Sequence, residues 1–435
     1  MRKTILSVAL AVAAWPAAAA NLVDIYRLAQ QNDAVYASAQ AAYQAGLEKL
    51  PQGQALMLPS LNLSAGVNHY QIDTNISQPK NYTSPSVSLI LTQPLYRKQN
   101  VETLEQAKLQ VQAVQAQLGL ARQSLVLRTA QAYFDVLQAQ DNLATARAQK
   151  AAIAEQLALA KKSFEVGTAT IVDTHEAQAS YDSTVAQEIA AQNDLEVKRR
   201  TLEKLIMAPA PALDPLADGV TLPLPQPDNM AAWVKQAQES SLSVAVSQAN
   251  AEIARREVAK QYAGYQPTLD LTASYTDTRN GVISNISGVD SRSAMIGLQL
   301  GWNLYQGGAT RSLVREAVAN REKARFDLDD ARRQAALDAR QAFLGVVSGD
   351  AQVKALEQVV KSRETQLQST KLGLEVGVRT AVDVLNAEQQ LYGAERDLAA
   401  ARYAALMSGL NLRAAAGTLT EQDLMALNGL LASQP

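Results

Sequence analysis

Four stretches of the chain alternate apolar and polar residues. In "PSLNLSAGVNHY", from Pro59, residues Leu61, Leu63, Ala65 and Val67 share one face, with Asn, Ser and Gly between them. "PTLDLTASYTD", from Pro267, does the same through Leu269, Leu271, Ala273 and Tyr275. After a polar loop in each half comes a second alternating run. Val87–Tyr96 alternates through Val87, Leu89 and Leu91, and Ile296–Tyr305 through Ile296, Leu298, Leu300, Trp302 and Leu304. Period two predicts strands with one apolar and one polar face. Each half thus carries one strand pair, too few to stand alone.

The period then changes. From about Lys98 to Lys162 there is no proline and a single glycine, Gly119. Apolar residues recur every seventh position through Leu104, Val111, Leu118, Leu125, Ala132, Ala139, Ala146, Ile153 and Ala160. A second seam joins at Val136, Leu143, Leu157 and Phe164, with Lys150 the exception. This 4-3 pattern predicts a long coiled-coil helix, roughly 100 Å at 1.5 Å per residue. It returns from about Ala309 to Lys371. Many seam positions are alanine, which suits close helix approach and a thin-walled array.

"FEVGTATIVD" (164–173) and "LEVGVRTAVD" (374–383) mark the end of each long helix. They lie about 210 residues apart, and an internal repeat is the reading that fits. Gly167 and Gly377 supply the backbone freedom a helix C-terminus needs. Thr170 and Thr380 can cap a returning helix. Each motif therefore reads as the tip of an antiparallel helical hairpin. The segments opening the halves, "NLVDIYRLAQQND" from Asn21 to about Leu50 and "NMAAWVKQAQESS" from Asn229, read as helices. The expected organisation is a leader at 1–20, a first repeat at 21–207, a proline-rich extended linker at 208–228, a second repeat at 229–417 and a tail at 418–435.

The leader follows from Arg2 and Lys3, the apolar Ile5–Ala14 and the small residues Ala18-Ala19-Ala20, a bacterial-style secretory signal. No later stretch has the 18 or more apolar residues of a membrane helix. The chain has 435 residues and a formal net charge of −2, which argues against nucleic acid as a partner. It has no cysteine, so disulfides, thiolate chemistry and lipidation on cysteine are excluded. Catalysis, metals and cofactors find no support. His69 and His175 lack metal-ligand neighbours at useful spacing. There is no nucleophile elbow or phosphate loop, and "YQGGATR" (305–311) reads as a strand-to-helix turn. The sequons at Asn75, Asn81 and Asn285 carry no meaning in a bacterial protein.

An exported chain with amphipathic strands suggests a membrane barrel. Four strands cannot close; two copies give a side-chain-filled barrel of eight, and three give twelve with a bore. A conduit favours the homotrimer. Tyr70, Tyr82, Tyr96, Tyr265, Tyr275, Trp302 and Tyr305 near the strand ends are candidates for interfacial girdles. The alternative is a soluble periplasmic coiled-coil adaptor or scaffold, which would share heptads and signal but need no paired strands.

Together these features resemble the TolC family of outer-membrane channel-tunnels across nearly the whole mature chain. The likeness is most specific in "VGVRTAVDVLNAEQQLYGAERDLAAARY" and in the tail "GTLTEQDLMALN". It implies an α+β membrane protein: a trimer with a twelve-stranded barrel in outer-membrane lipid, a long periplasmic helical tunnel, and short equatorial helices from linker and tail. It implies passive export of drugs and proteins after docking, through a periplasmic adaptor, to an inner-membrane RND or ABC pump. Without cysteine the chain leans away from the lipidated drug-efflux branch. The implied gate residues are Asp173, Arg379 and Asp383. Arg379 would pair with Asp173 of a neighbouring chain, and Asp383 would line the constriction. The pattern departs at Asn386, where the family type has a second pore acid, at Leu374, where it has tyrosine, and at Val172, where it has threonine. The expected docking tips are Val166, Gly167, Thr168, Val376, Gly377 and Val378.

Overall fold

A computed structural model describes residues 20–73, 80–217, 219–220, 223–283 and 286–432. The expected leader, apart from Ala20, and the sequons at Asn75 and Asn285 lie outside these residues. The fold is mostly helical with one small antiparallel sheet. No helix among the described residues is long and apolar enough to cross a membrane.

Two compact units form. Among the described residues, the first gathers 20–39, 119–241 and 333–432; the second gathers 40–118 and 242–332. Along the chain, α1 (Leu22–Asn32), α2 (Ala34–Leu47) and α3 (Lys49–Ala55) precede β1 (Ser60–Ile72) and β2 (Lys80–Tyr96). Then come α4 (Lys98–Glu165) and α5 (Ile171–Ile206). The order recurs with α6 (Met230–Ser240), α7 (Leu242–Tyr262), β3 (Thr268–Ile283), β4 (Ile286–Gly301), α8 (Ala309–Glu375) and α9 (Ala381–Ala415). A short α10 (Glu421–Asn428) follows.

In the second unit the strands line up as β1-β2-β3-β4, so the pairs of the two halves join through β2 and β3. Cross-strand partners share a face. One row runs Leu61–Leu91–Ala273–Ile296 and the next Leu63–Leu89–Tyr275–Ala294, with Leu271 beside Leu298 and Leu269 beside Leu300. The opposite face holds Ser64–Ser88–Thr276–Ser293 and Asp270 beside Gln299. The alternation therefore becomes two faces as expected, but three extents differ. β2 begins at Lys80, seven residues before the expected strand. β3 runs to Ile283, and β4 starts at Ile286 and stops at Gly301, so Trp302 and Leu304 continue the pattern beyond the strand. Tyr70 and Tyr82 pair on the polar face, rings stacked at 5.2 Å, which corrects the girdle expectation for them. Arg97, just before α4, clasps Asp270 with Nε and Nη2 on its two carboxylate oxygens, at 2.8 and 2.5 Å. Close helix approach is real here: a Cβ on Gly46 of α2 would lie 2.6 Å from Val114 of α4.

In the first unit the heptad seam of α4 is buried at Leu125, Ala132, Ala139, Ala146, Ile153 and Ala160. Val136, Leu143 and Leu157 of the second seam are buried too, while Phe164 is exposed. Lys150, the seam's exception, bonds Glu188 of α5, which Arg147 also reaches at 3.2 Å. Tyr133 and Phe134 of α4 meet edge to face, and Phe134 packs on Tyr403 of α9. The Tyr403 hydroxyl donates to Asp141 at 2.7 Å.

The first expected helix is broken at Asp33, whose backbone is extended. Its carboxylate accepts the Tyr36 N–H at 2.7 Å, capping α2, and both Arg128 guanidinium nitrogens at 2.9 Å. A cap residue with a cation partner is a stronger signal than helical periodicity. The linker is anchored rather than simply extended: Leu213 bridges to Ala20 and Leu216 to Leu431.

Candidate functional site at the hairpin tips

Both sequence motifs are tight turns between antiparallel helices of the first unit. Gly167 and Gly377 have φ of +79° and +78°, the left-handed region that glycine enters without strain. At the first tip Thr168 N donates to Ser163 O (2.8 Å) and Gly167 N to Phe164 O (3.0 Å). At the second, Val378 N donates to Gly373 O (2.8 Å) and Gly377 N to Leu374 O (3.1 Å). These are Schellman closures, which satisfy the last carbonyls of α4 and α8. Val166, Val376 and Val378 are two-thirds to three-quarters exposed (68%, 65% and 76%), so each tip presents apolar side chains on a turn whose N–H groups are bonded.

The returning helices start with capping boxes. Asp173 N donates to Thr170 Oγ1 (3.3 Å), while Asp173 Oδ2 accepts the Thr170 N–H and O–H, both at 2.8 Å. At Thr380 the same three bonds with Asp383 measure 3.2, 2.9 and 3.0 Å. Both expected gate carboxylates are thus bonded into a helix start. The spacing Thr-x-x-Asp at 170–173 and 380–383 held that signal, although sequence reasoning used only the threonines. The Thr380 backbone and hydroxyl bonds, with the charge of Arg379, hold the Asp383 carboxyl below its usual range.

Arg379 is exposed. Its N–H donates to Gly373 O at 3.0 Å, and its stem lies where a Cβ on Gly373 would be, 2.6 Å from Cγ. Gly373 is therefore what lets this side chain fold back on α8. Its charge reaches Asp383. Within the described residues of one chain it forms no ion pair with Asp173. Asn386 is exposed one helical turn beyond Asp383.

Behind the tips, Ile153, Leu157 and Ala160 of α4 cluster with Ala177 of α5 and Leu385 of α9. Sequence reasoning missed Glu388, which is 1% exposed and ion-paired with Lys371 of α8 at 2.9 Å. Its position beside the seam residue Ala387 was the available signal. No cluster of His, Cys, Asp and Glu among the described residues could hold a metal ion.

A heptad hairpin with exposed apolar tips and a two-faced sheet is a family architecture. The model of the outer membrane efflux protein family matches residues 25–206 and 233–418. The chain belongs to the outer membrane efflux protein family. It is 34% identical over 412 residues to outer membrane protein TolC of Vibrio cholerae, covering 94% of this chain and 93% of that protein. It is 31% identical to the proteases secretion protein PrtF of Dickeya chrysanthemi, covering 100% and 96%. Among solved structures, the outer membrane protein VceC of Vibrio cholerae superposes with a TM-score of 0.79 at 20% identity, covering 91% of this chain and 96% of that one. This efflux-family protein is an outer-membrane protein of a Gram-negative bacterium. The soluble adaptor or scaffold alternative finds no support.

Proposed function

We propose that this protein is the outer-membrane exit duct of tripartite efflux and type I secretion systems, built as a homotrimer. Three copies pool their strands into one twelve-stranded barrel and their helices into a tunnel. The duct is passive. It opens when a periplasmic adaptor, coupled to an inner-membrane RND or ABC pump, engages the tips at Val166, Gly167, Thr168, Val376, Gly377 and Val378.

The observation that carries this reading is the sheet. Among the described residues its four strands leave β1 and β4 as free edges, and Leu61, Leu63, Leu89, Leu298 and Leu300 of the leucine face are exposed in the single chain. Free edges and an uncovered apolar face suit closure in lipid by further copies. Twelve strands leave a bore, where eight would be filled by side chains. Along α8, Phe326, Leu337, Leu344, Val347, Val359 and Leu372 are exposed, as expected of a helix that packs on a neighbouring copy. The two stretches matched by the family model support a reading of two repeats, 21–207 and 229–417, with equatorial segments at 208–228 and 418–435.

In this reading Arg379 of one copy latches to Asp173 of the next, and three Asp383 carboxylates converge on the axis. Converging like charges attract a multivalent cation. Asn386 is neutral, so there is one acidic ring. The test is native mass spectrometry of the detergent-extracted outer-membrane fraction, with conductance in planar bilayers. A conducting trimer is expected; a stable monomer or dimer overturns the proposal.

A further inference from the structure

Resting on the gate reading above, we infer that Thr170 and Thr380 are positioning residues of the gate: each hydroxyl fixes the carboxylate that the gate uses. At both tips one oxygen, Oδ2, takes both the backbone N–H and the hydroxyl of the threonine. The threonine hydroxyl in turn accepts the aspartate's own N–H. Three bonds close each ring, so the carboxylate has one orientation relative to its helix. The side chain that carries gating charge is the same one that starts α5 or α9.

Two consequences follow from which oxygen is used. Oδ2 is committed, so Oδ1 is what each carboxylate offers to a neighbour. The Arg379 link to Asp173 of the next copy is then a single charge-assisted bond to Oδ1. A two-pronged clasp like Arg97 on Asp270 would need the committed oxygen. At the constriction, the ring presents three Oδ1 atoms at a fixed tilt to a cation. Loss of either hydroxyl leaves the carboxylate on the threonine N–H alone, a looser hold, without removing its charge.

The experiment compares Thr380→Val, which keeps shape and removes the hydroxyl, with Thr380→Ser, which keeps both bonds. Single-channel current is recorded in planar bilayers with a trivalent cobalt complex on the periplasmic side, and Asp383→Asn is the reference. Thr380→Val loses both bonds of the hydroxyl and should weaken block by roughly threefold or more. Thr380→Ser should match the parent, which a general loosening of α9 does not explain. Thr170→Val should raise resting conductance and Thr170→Ser should not. If Asp383→Asn removes block while Thr380→Val behaves as the parent, the positioning role is overturned and the pore reading stands. If Asp383→Asn leaves block unchanged, the pore reading falls. Cryo-electron microscopy of the Thr380→Val trimer then decides positioning alone: a reoriented Asp383 carboxylate supports it, and an unmoved one overturns it.

Discussion

Gly167 and Gly377 are held at positive φ with nothing within 4 Å of where a Cβ would be. A substitution there meets backbone strain and no steric wall. That separates two variants that size alone would group together. Asn enters the left-handed region readily, whereas a β-branched residue does not. Gly377→Asn is expected to keep export near the parent level, while Gly377→Val loses most of it with the trimer still inserted. Export assays at matched outer-membrane protein levels check this, and equal export by both would remove the turn from the docking site. At this scale the sequence was informative about the turn and less so about charge. Gly and Thr in "VGTAT" and "VGVRT" announce φ and cap by residue type. Asp173 and Asp383 looked like free charges because a capping acid and a pore acid are the same residue. The hydrogen bonds to Thr170 and Thr380 show the capping role.

At the level of elements, α4 and α9 are tied by a carboxylate that forms no ion pair among the described residues. Asp141 accepts the Tyr403 hydroxyl, and burial holds its carboxyl above the usual range, against the pull of that bond and of Arg402. A raised acid favours the folded state most when protonated. The stabilisation is full below the unfolded-state pKa and is lost as pH rises through the higher folded one. Asp141→Asn keeps an acceptor for Tyr403 and never ionises. It should melt higher than the parent at neutral pH, with the difference closing as pH falls into the ordinary carboxylate range. Thermal scans of the detergent-solubilised protein at several pH values measure it; a gap that widens in acid contradicts the assignment. The helices themselves were legible, because a seven-residue period sustained over α4 admits no other structure. The break at Asp33 was not, since its cause, Arg128, lies 95 residues away. The same holds for the joining of β2 to β3: periodicity gives a strand its faces but not its partner.

For the molecule as a whole, the two faces of the sheet make opposite demands on neighbouring residues. Ile296 and Met295 are both well exposed in the single chain, at 75% and 61%. Ile296 belongs to the leucine face, Met295 to the face of Asn62 and Ser274. If the leucine face meets lipid, a lysine at Ile296 costs about 2–4 kcal/mol near the bilayer midplane. In the proposed barrel a lysine at Met295 would then face a water-filled bore. Ile296→Lys should sharply reduce the outer-membrane fraction, and Met295→Lys should leave it nearly unchanged. A reversed result would turn the barrel inside out. Strand existence and face were readable from alternation, but strand length was not. Among the added residues, Lys80, Asn81, Thr83, Ser84 and Ser86 of β2 and Ser287, Ser291, Arg292 and Ser293 of β4 have a polarity that reads as loop while their backbones remain paired.

The closures at the two tips are entirely local. Every backbone bond of Val166–Thr170 runs to its own helix ends, and so does every one of Val376–Thr380. Such turns behave as interchangeable cassettes. Writing "VGTAT" into the second hairpin should fold without adjustment and change only what the tip displays; writing "VGVRT" into the first needs Ser163→Gly as well, because the arginine stem lies where a Cβ at the matching Gly373 would be. A chain carrying two arginine tips, or none, would then vary the number of latches per trimer while its walls stay constant. Circular dichroism and trimer yield should be those of the parent, with resting conductance falling or rising with the arginine count. Under selection, the lock could be retuned by a few substitutions without reworking the duct behind it.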